Sequence, residues 1–220
     1  MMFDYTILTS NWREIFDGIC LSLELWLGGS LLGLVLGLAL ATVHHYGDFI
    51  VRALIAAYVG IFRGTPLLIQ LFVLYYGGPS FGLVLSPVAA GLIGLTIYGS
   101  AQFVEIFRAG FAAIGPGQIE AAKMSGLGAM QTLWHIQIPQ MLLIILPSLV
   151  NMMVIMTKET AILSVISIPE LTAVMSGIGA STYAFAETLF ALAAFYWVLL
   201  EGVSAVGRLA ENRVSRYLAK

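Results

Sequence analysis

Charged side chains that interrupt long apolar segments are the residues of this sequence best suited to chemistry. Arg63 lies midway along one apolar run, and Glu105 lies near the end of another. A charge at the centre of a bilayer span costs about 2.5 to 3.5 kcal/mol on translocon-based scales, so each needs a partner or a polar route. We expect Arg63 to bond carbonyls freed by a break at residues 64–66, and Glu105 to pair with Arg108 on the same helical face. Such groups would either hold a bundle together or line a solute path.

A second polar cluster consists of Lys158, Glu159 and Thr160, between apolar residues 141–156 and 161–168. Polar groups flanked by apolar segments on both sides are typical of a cavity or gate lining. Snorkelling of the lysine to the outer interface explains the cluster equally well. The candidate substrate path therefore comprises Arg63, Thr65, Glu105, Lys158, Glu159 and Thr160.

Motifs of nucleotide-binding and hydrolytic enzymes are absent from the sequence. It contains no G-x-x-x-x-G-K-[ST] phosphate loop, no H-E-x-x-H zinc helix and no G-x-S-x-G nucleophile turn. A helix would splay the adjacent His44 and His45 by roughly 100°, so we expect interfacial polar residues rather than a metal pair. Cys20 is the single cysteine and cannot form an internal disulfide. We predict a chain that is not an enzyme and binds no metal or cofactor itself.

The elements that must position these residues follow from the composition. Of 220 residues, 60% are hydrophobic and 10% are charged, whereas soluble domains carry about 25% charged residues. The net charge of −2 and the scattered basic residues argue against nucleic acid as a partner. We predict an all-α polytopic membrane protein with about five transmembrane helices. Apolar runs place these spans at 19–43, 50–77, 87–107, 136–157 and 183–206, with the second broken before Pro66.

An odd number of spans puts the two termini on opposite sides of the membrane. One side carries two basic residues near the span ends and the other carries seven, which the positive-inside rule assigns to the cytosol. The two are Arg13 and Lys158, and the seven are Arg52, Arg108, Lys123, Arg208, Arg213, Arg216 and Lys220. We predict an extracytoplasmic segment 1–18, a transmembrane domain 19–206 with a cytosolic loop at about 108–135, and a cytosolic tail 207–220.

Gly29, Gly33 and Gly37 of the first span are four residues apart and share one helical face. This spacing lets another helix approach closely. The face would pack either inside the chain or against a second membrane chain. Because five helices enclose a solute path poorly, we expect a second copy or a homologue across an interface.

The predicted cytosolic loop contains a short helix. The Gly-Pro-Gly sequence at 115–117 would end the preceding span. Glu120 is expected in the first turn of a new helix, where an acid suits the helix dipole, and Gly126 can end it. A helix of two turns is marginal alone in water, so we expect it to dock into another protein or to lie on the inner leaflet.

This loop resembles that of a known family. Glu120-Ala121-Ala122, then Gly126, then residues 136–139 (IQIP) match the EAA loop of bacterial ABC importer permeases, with Ile138 where leucine is commoner. Residues 62–68 (FRGTPLL) and 158–163 (KETAIL) are similar to the polar amino acid branch of those permeases. In the second stretch, Glu159 and Ala161 stand where that branch has Asp and Ser. The resemblance covers about residues 20–171.

The resemblance implies a type I ABC importer permease fold in the bacterial inner membrane. It also implies three kinds of partner: a second permease chain, an ABC ATPase dimer that holds ATP and Mg, and an extracytoplasmic binding protein that delivers an amino acid. The residues implied to couple the chain to the ATPase are Gln118, Glu120, Ala121, Ala122, Lys123 and Gly126.

Two other functions are compatible with the sequence. A stand-alone channel or ion-coupled carrier for a small polar solute would need no ATPase, and its loop helix would rest on the membrane. A structural membrane subunit would contain no solute route, which leaves the charge of Arg63 unexplained. Uptake by the purified chain without ATP or a binding protein would favour the channel or carrier.

Overall fold

The computed structural model describes the backbone of residues 4–218 and the side chains of residues 4–213. This part of the chain is helical, without strands, and contains ten α-helices. In chain order they are α1 Thr6–Ser10, α2 Trp12–Tyr46, α3 Phe49–Gly64, α4 Leu67–Phe72, α5 Pro87–Ala112, α6 Pro116–Met124, α7 Ala129–Thr132, α8 Ile138–Glu159, α9 Leu171–Thr182 and α10 Phe185–Leu218. Two π-helical turns, Val73–Gly77 and Leu133–Gln137, and two 3-10 segments, Gly78–Phe81 and Thr160–Ile166, continue α4, α7 and α8.

Four helical stretches and one bent pair are long and apolar enough to cross a membrane. The four are Trp12–Tyr46, Pro87–Ala112, Ala129–Ile166 and Phe185–Arg213. The bent pair, Phe49–Gly64 with Leu67–Phe81, turns by 103° at its break. The prediction of an all-α membrane fold with about five spans is confirmed. So is the predicted break, because the helix ends at Gly64 and resumes after Pro66.

The helices extend beyond the apolar windows from which the spans were predicted. The first begins at Trp12 instead of residue 19, so residues 12–18 of the predicted extracytoplasmic segment are helical. The last continues through residue 218, so the predicted tail prolongs α10. The apolar composition of a sequence marks only the part of a helix that contacts hydrocarbon. The helix itself, held by its backbone hydrogen bonds, is longer because it continues into the interface between membrane and water. Residues 1–3 and 219–220, the extremes of these two segments, lie outside the described residues.

Helix α5 forms the centre of the fold and packs against α2, α3, α4 and α8. Ser86 accepts a hydrogen bond from the amide of Ala89, and Pro87 occupies the first helical position, where its missing amide hydrogen costs nothing. Leu95, Phe103 and Phe107 of α5 are buried in the core. This helix therefore offers one face to the core and leaves another for polar side chains.

The three glycines of the first span face α5. A Cβ atom on Gly29 would lie 2.7 Å from the Cβ of Leu95, and one on Gly37 would lie 2.6 Å from the Cβ of Phe103. At Gly33 the nearest atom would be the backbone nitrogen of Ser100, at 3.2 Å. Helices α2 and α5 are thus in near backbone contact, so this glycine face is used inside the chain.

Candidate functional site

A network of charged and polar side chains joins α3 to α5. Glu105 accepts two bonds from Arg108, from Nη2 at 2.8 Å and from Nε at 3.0 Å, which confirms the predicted pairing. Arg63 Nη1 lies 3.7 Å from Glu105 Oε2, and Arg63 Nε donates to Gln102 Oε1 at 3.0 Å. The side chains of Arg63 and Glu105 remain 44% and 28% exposed. The carboxylate between two guanidinium groups can therefore still be reached from outside the protomer.

Arg63 does not bond the carbonyls at the helix break, contrary to our prediction. Gln70 fills that role: its Nε2 donates to the carbonyl oxygen of Phe62 at 2.8 Å and to that of Thr65 at 3.0 Å. The hydroxyl of Thr65 donates to the carbonyl of Ile61 at 2.9 Å. Since the break is satisfied by a neutral amide on α4, the charge of Arg63 is free to project towards α5.

The residues of the second polar cluster point in different directions. Glu159 is half-buried and accepts a 3.4 Å hydrogen bond from the hydroxyl of Tyr98. Thr160 is buried, and its hydroxyl donates to the carbonyl of Thr157 at 2.8 Å. Lys158 is exposed. In this conformation Thr160 therefore has no surface to offer a solute, unlike the cavity lining that we expected.

One face of α5 connects the two polar groups. Tyr98 contacts Glu159, Gln102 contacts Arg63, and Glu105 contacts both Arg63 and Arg108. These three residues of α5 are four and three positions apart, which is the spacing of one helical face. We call Tyr98, Gln102 and Glu105 the polar stripe. It places hydroxyl, amide and carboxylate groups along one face of a membrane-spanning helix.

The short helix α6 runs from Pro116 to Met124, two and a half turns as predicted. Gly126 ends it with φ +78°, and the amides of Gly126 and Leu127 donate to the carbonyls of Lys123 and Ala122 at 3.0 Å each. This pair of bonds is a Schellman motif, which needs a left-handed residue. Gly126 is thus required for its backbone conformation and not for space, because a Cβ built there would meet no described atom within 4 Å apart from its chain neighbours.

Our expectation that Glu120 lies in the first turn of this helix was wrong. Gly115 is the N-cap and Pro116 is the first helical residue, so Glu120 is the fifth. The first turn contains no acid, and the carboxylate is exposed in the second turn. Stabilisation by the helix dipole falls off within the first turn. Glu120 is therefore better placed to meet a partner than to stabilise α6.

Most of the segment around α6 is exposed, including Gln118, Glu120, Ala121 and Lys123, whereas Ala122 is buried. Three large apolar side chains on or after α6 are exposed: Met124 at 89%, Met130 at 65% and Trp134 at 56%. We call these three residues the apolar rim. Exposed apolar side chains on or close in sequence to a short polar helix are typical of a protein contact.

The comparison with known families identifies the chain. A sequence model of the family described as "Binding-protein-dependent transport system inner membrane component" matches residues 30–216. This chain belongs to that family. It is therefore a membrane permease of the ABC transporter class, and the resemblance drawn from the EAA residues is confirmed.

Curated relatives match the permease over nearly its whole length. The arginine transport system permease protein ArtQ of Bacillus subtilis is 31% identical over 217 residues, which cover 97% of this chain and 98% of ArtQ. The probable glutamine permease GlnM of the same organism is 34% identical over 214 residues, 96% of this chain and 98% of GlnM. Both are amino acid permeases by name.

Solved structures agree with the type I importer fold of the permease. A chain of a crystal structure of an amino acid ABC transporter with histidines superposes with a TM-score of 0.87 at 33% identity, covering 97% of this chain and 100% of that chain. An inward-facing structure of the MetNI methionine ABC transporter gives a TM-score of 0.76 at 18% identity, covering 93% of this chain and 98% of that one. At that identity the second match supports the fold alone.

Sequence reasoning missed one buried acid of the permease. Glu170 is fully buried between the last two spans and caps α9, accepting bonds from the amides of Thr172 and Ala173 at 2.9 Å each. The hydroxyl of Ser22 on α2 donates to Glu170 at 3.3 Å and accepts from the Leu171 amide at 3.0 Å. Burial raises the pKa of Glu170, although the amide bonds oppose this shift. The sequence signal that could have revealed this role is the position of Glu170 directly before an apolar helical segment, which is where a helix cap is expected.

Metal ligation found no support in the described side chains. Among residues 4–213, no group of three or more His, Cys, Asp and Glu residues is arranged to hold a metal ion. Glu105, the acid nearest the centre of the polar network, is paired with Arg63 and Arg108.

Proposed function

We propose that this chain is the transmembrane permease subunit of an ATP-driven, binding-protein-dependent amino acid importer, and that it docks on its ATPase through α6. The observation that carries the proposal is α6 itself, a helix of nine residues that is exposed on most of its surface and bordered by the apolar rim. So short a helix has little stability of its own in water. A groove in a partner protein would cover the apolar rim and support the helix.

The distribution of basic residues supports the orientation that docking requires. With the amino terminus outside and the carboxyl terminus in the cytosol, α6 and seven of the ten basic residues lie at the cytosolic face. Lys123 belongs to α6 and Arg108 to the end of α5. An ATPase in the cytosol would then meet α6, and a binding protein would meet the opposite face.

The energy for uptake must come from the partner ATPase. Concentrating a solute ten-thousandfold requires about 5.5 kcal/mol, and the sequence contains no phosphate-binding loop. ATP and Mg are therefore assigned to the ATPase dimer. ATP binding would draw the two ATPases together, the docked helices would follow, and two permease chains would open outward. Hydrolysis would reset them inward.

The solute path is proposed to follow the polar stripe of α5 and the side chains that contact it. Arg63 and Glu105 offer opposite charges at one end, and Glu159 offers a carboxylate near Tyr98. A zwitterion needs both signs of charge inside a low-dielectric bundle. Thr65 and the exposed Lys158 lie close to these groups in the sequence and are kept in the proposed path. The buried Thr160 is left out of the path.

Reconstitution tests the proposed class of transporter. Proteoliposomes that contain this chain, its second permease chain, the ATPase and the binding protein should take up radiolabelled arginine or glutamine only when ATP is present. The chain reconstituted by itself should transport neither. Uptake of either amino acid by the single chain, without ATP, would establish the channel or carrier instead.

We expect Glu159→Gln to raise the apparent KM for uptake by about tenfold, because a charge-assisted hydrogen bond contributes about 1.5 to 3 kcal/mol. The measurement is initial uptake by the reconstituted complex over a range of loaded binding protein. Glu201→Gln is the matched control, since Glu201 also lies within a span and pairs with Arg208 at 3.7 Å, away from the polar stripe. Equal kinetics in the two variants would remove Glu159 from the path.

A further inference from the structure

A polar contact joins the end of α2 to the residues that enter α8. The hydroxyl of Tyr46 donates to Gln137 Oε1 at 2.5 Å, and Gln137 Nε2 lies 3.3 Å from His45 Nε2. Gln137 is 1% exposed. A buried amide engaged at both ends is costly to remove, because each lost bond leaves a desolvated polar group. We call His45, Tyr46 and Gln137 the α2 clamp.

The clamp also reaches the end of α5. The ring of His45 stacks on that of Phe111 with centroids 4.7 Å apart and planes inclined by 14°. Phe111 is buried in the last turn of α5. The loop that carries α6 leaves from α5 and returns to α8, so the end of α2 holds both of its attachments.

The attachments matter because α6 has little packing of its own. Ala122 is its only buried residue. On one side three residues, 113–115, connect it to α5, and on the other it continues through α7 and the π-helical turn Leu133–Gln137. A π turn is an irregular insertion in a helix and often marks a functional position. Gln137 is the last residue of this turn, so the clamp holds the irregular turn in one register.

We propose that His45, Tyr46 and Gln137 are positioning residues that make the two attachments of α6 move as one body with α2. The proposal rests on the coupling function of α6. A force applied to α6 would otherwise be absorbed by the π turn before it reached the long helix 138–159. With the clamp intact, the displacement passes to α2, α5 and α8 together.

The test measures solute taken up per ATP hydrolysed by the complete reconstituted transporter. Gln137→Leu keeps the volume and removes both bonds, and we expect this ratio to fall about three- to tenfold. Gln137→Glu still accepts from Tyr46 and accepts from His45 once that ring carries its proton on Nε2, so it should retain coupling. His44→Ala, one residue from the clamp, is the control and should leave the ratio unchanged. A merely structural role would lower the yield of complex without changing the ratio.

The outcomes separate the clamp from the docking of α6. Normal coupling in Gln137→Leu, together with uncoupling in Gly126→Val, would overturn the clamp and leave the docking intact. Normal coupling in both would overturn the docking of α6 as well as the clamp. If Gln137→Leu does not assemble, Tyr46→Phe is tested instead, because it removes one bond only. We expect its ratio of solute taken up to ATP hydrolysed to be at least twofold below wild type. An unchanged ratio would contradict the clamp.

Discussion

Gly126→Val should lower uptake by about tenfold or more while ATP hydrolysis continues. The residue has φ +78°, a conformation that costs an L residue roughly 1 to 2 kcal/mol, most of all when it is β-branched. Apart from its chain neighbours, no described atom lies within 4 Å of the added Cβ, so we expect the effect to arise mainly from the backbone. The Schellman bonds at the end of α6 would open, and the helix would present its docking surface in a different direction.

A matched replacement isolates the conformational cause. Gly126→Asn also adds a side chain but tolerates the left-handed region, and it should retain most of the uptake. Both variants should bind the ATPase during purification of the complex. Glu120→Gln should act in the same direction as Gly126→Val, because its exposed carboxylate is proposed to contact the partner. Normal coupling in Gly126→Val and Glu120→Gln would refute the role of α6.

Gly37→Val should prevent the formation of stable permease. The added Cβ would lie 2.6 Å from the Cβ of Phe103 and 3.0 Å from the carbonyl oxygen of Ser100. Overpacking of a core typically costs about 1 to 3 kcal/mol, and here two backbones would have to separate. We expect a large loss of monodisperse protein on size exclusion in detergent and a lower unfolding temperature for what remains.

The same substitution at a different glycine provides the control. Gly60 lies in α3, and a Cβ built on it would meet no described atom within 4 Å outside the neighbouring backbone of its own helix. Gly60→Val therefore tests the intrinsic effect of valine in a membrane helix without the clash. If Gly37→Val were as stable as Gly60→Val, the close approach of α2 and α5 would not contribute to stability.

The spans were predictable because a bilayer leaves a backbone few choices. Hydrogen bonds must be satisfied within the segment, so a long apolar run indicates a helix, and Pro66 indicated where one would break. The exact ends were not predictable, as the start at Trp12 illustrates, because interfacial turns carry polar residues. At α6 the Gly-Pro-Gly sequence was interpreted as a breaker, whereas its proline begins the helix.

The parts of the site that the sequence did not reveal depend on side-chain amides that bond across a helix break or between helices. Gln70 satisfies carbonyls on the other side of the break, and Gln137 meets His45 across 92 positions. Nothing in the local pattern of a glutamine distinguishes a buried amide from an exposed one. The pairing of Glu105 with Arg108 was predictable since both residues lie on one turn of one helix.

The apolar rim has a consequence for cells that make the subunits in unequal amounts. Met124, Met130 and Trp134 are exposed in the single chain, and such surface favours self-association in water. A surplus chain without an ATPase would therefore be prone to aggregation or to digestion by quality-control proteases. Balanced synthesis of the subunits would keep this surface covered from the time the chain enters the membrane.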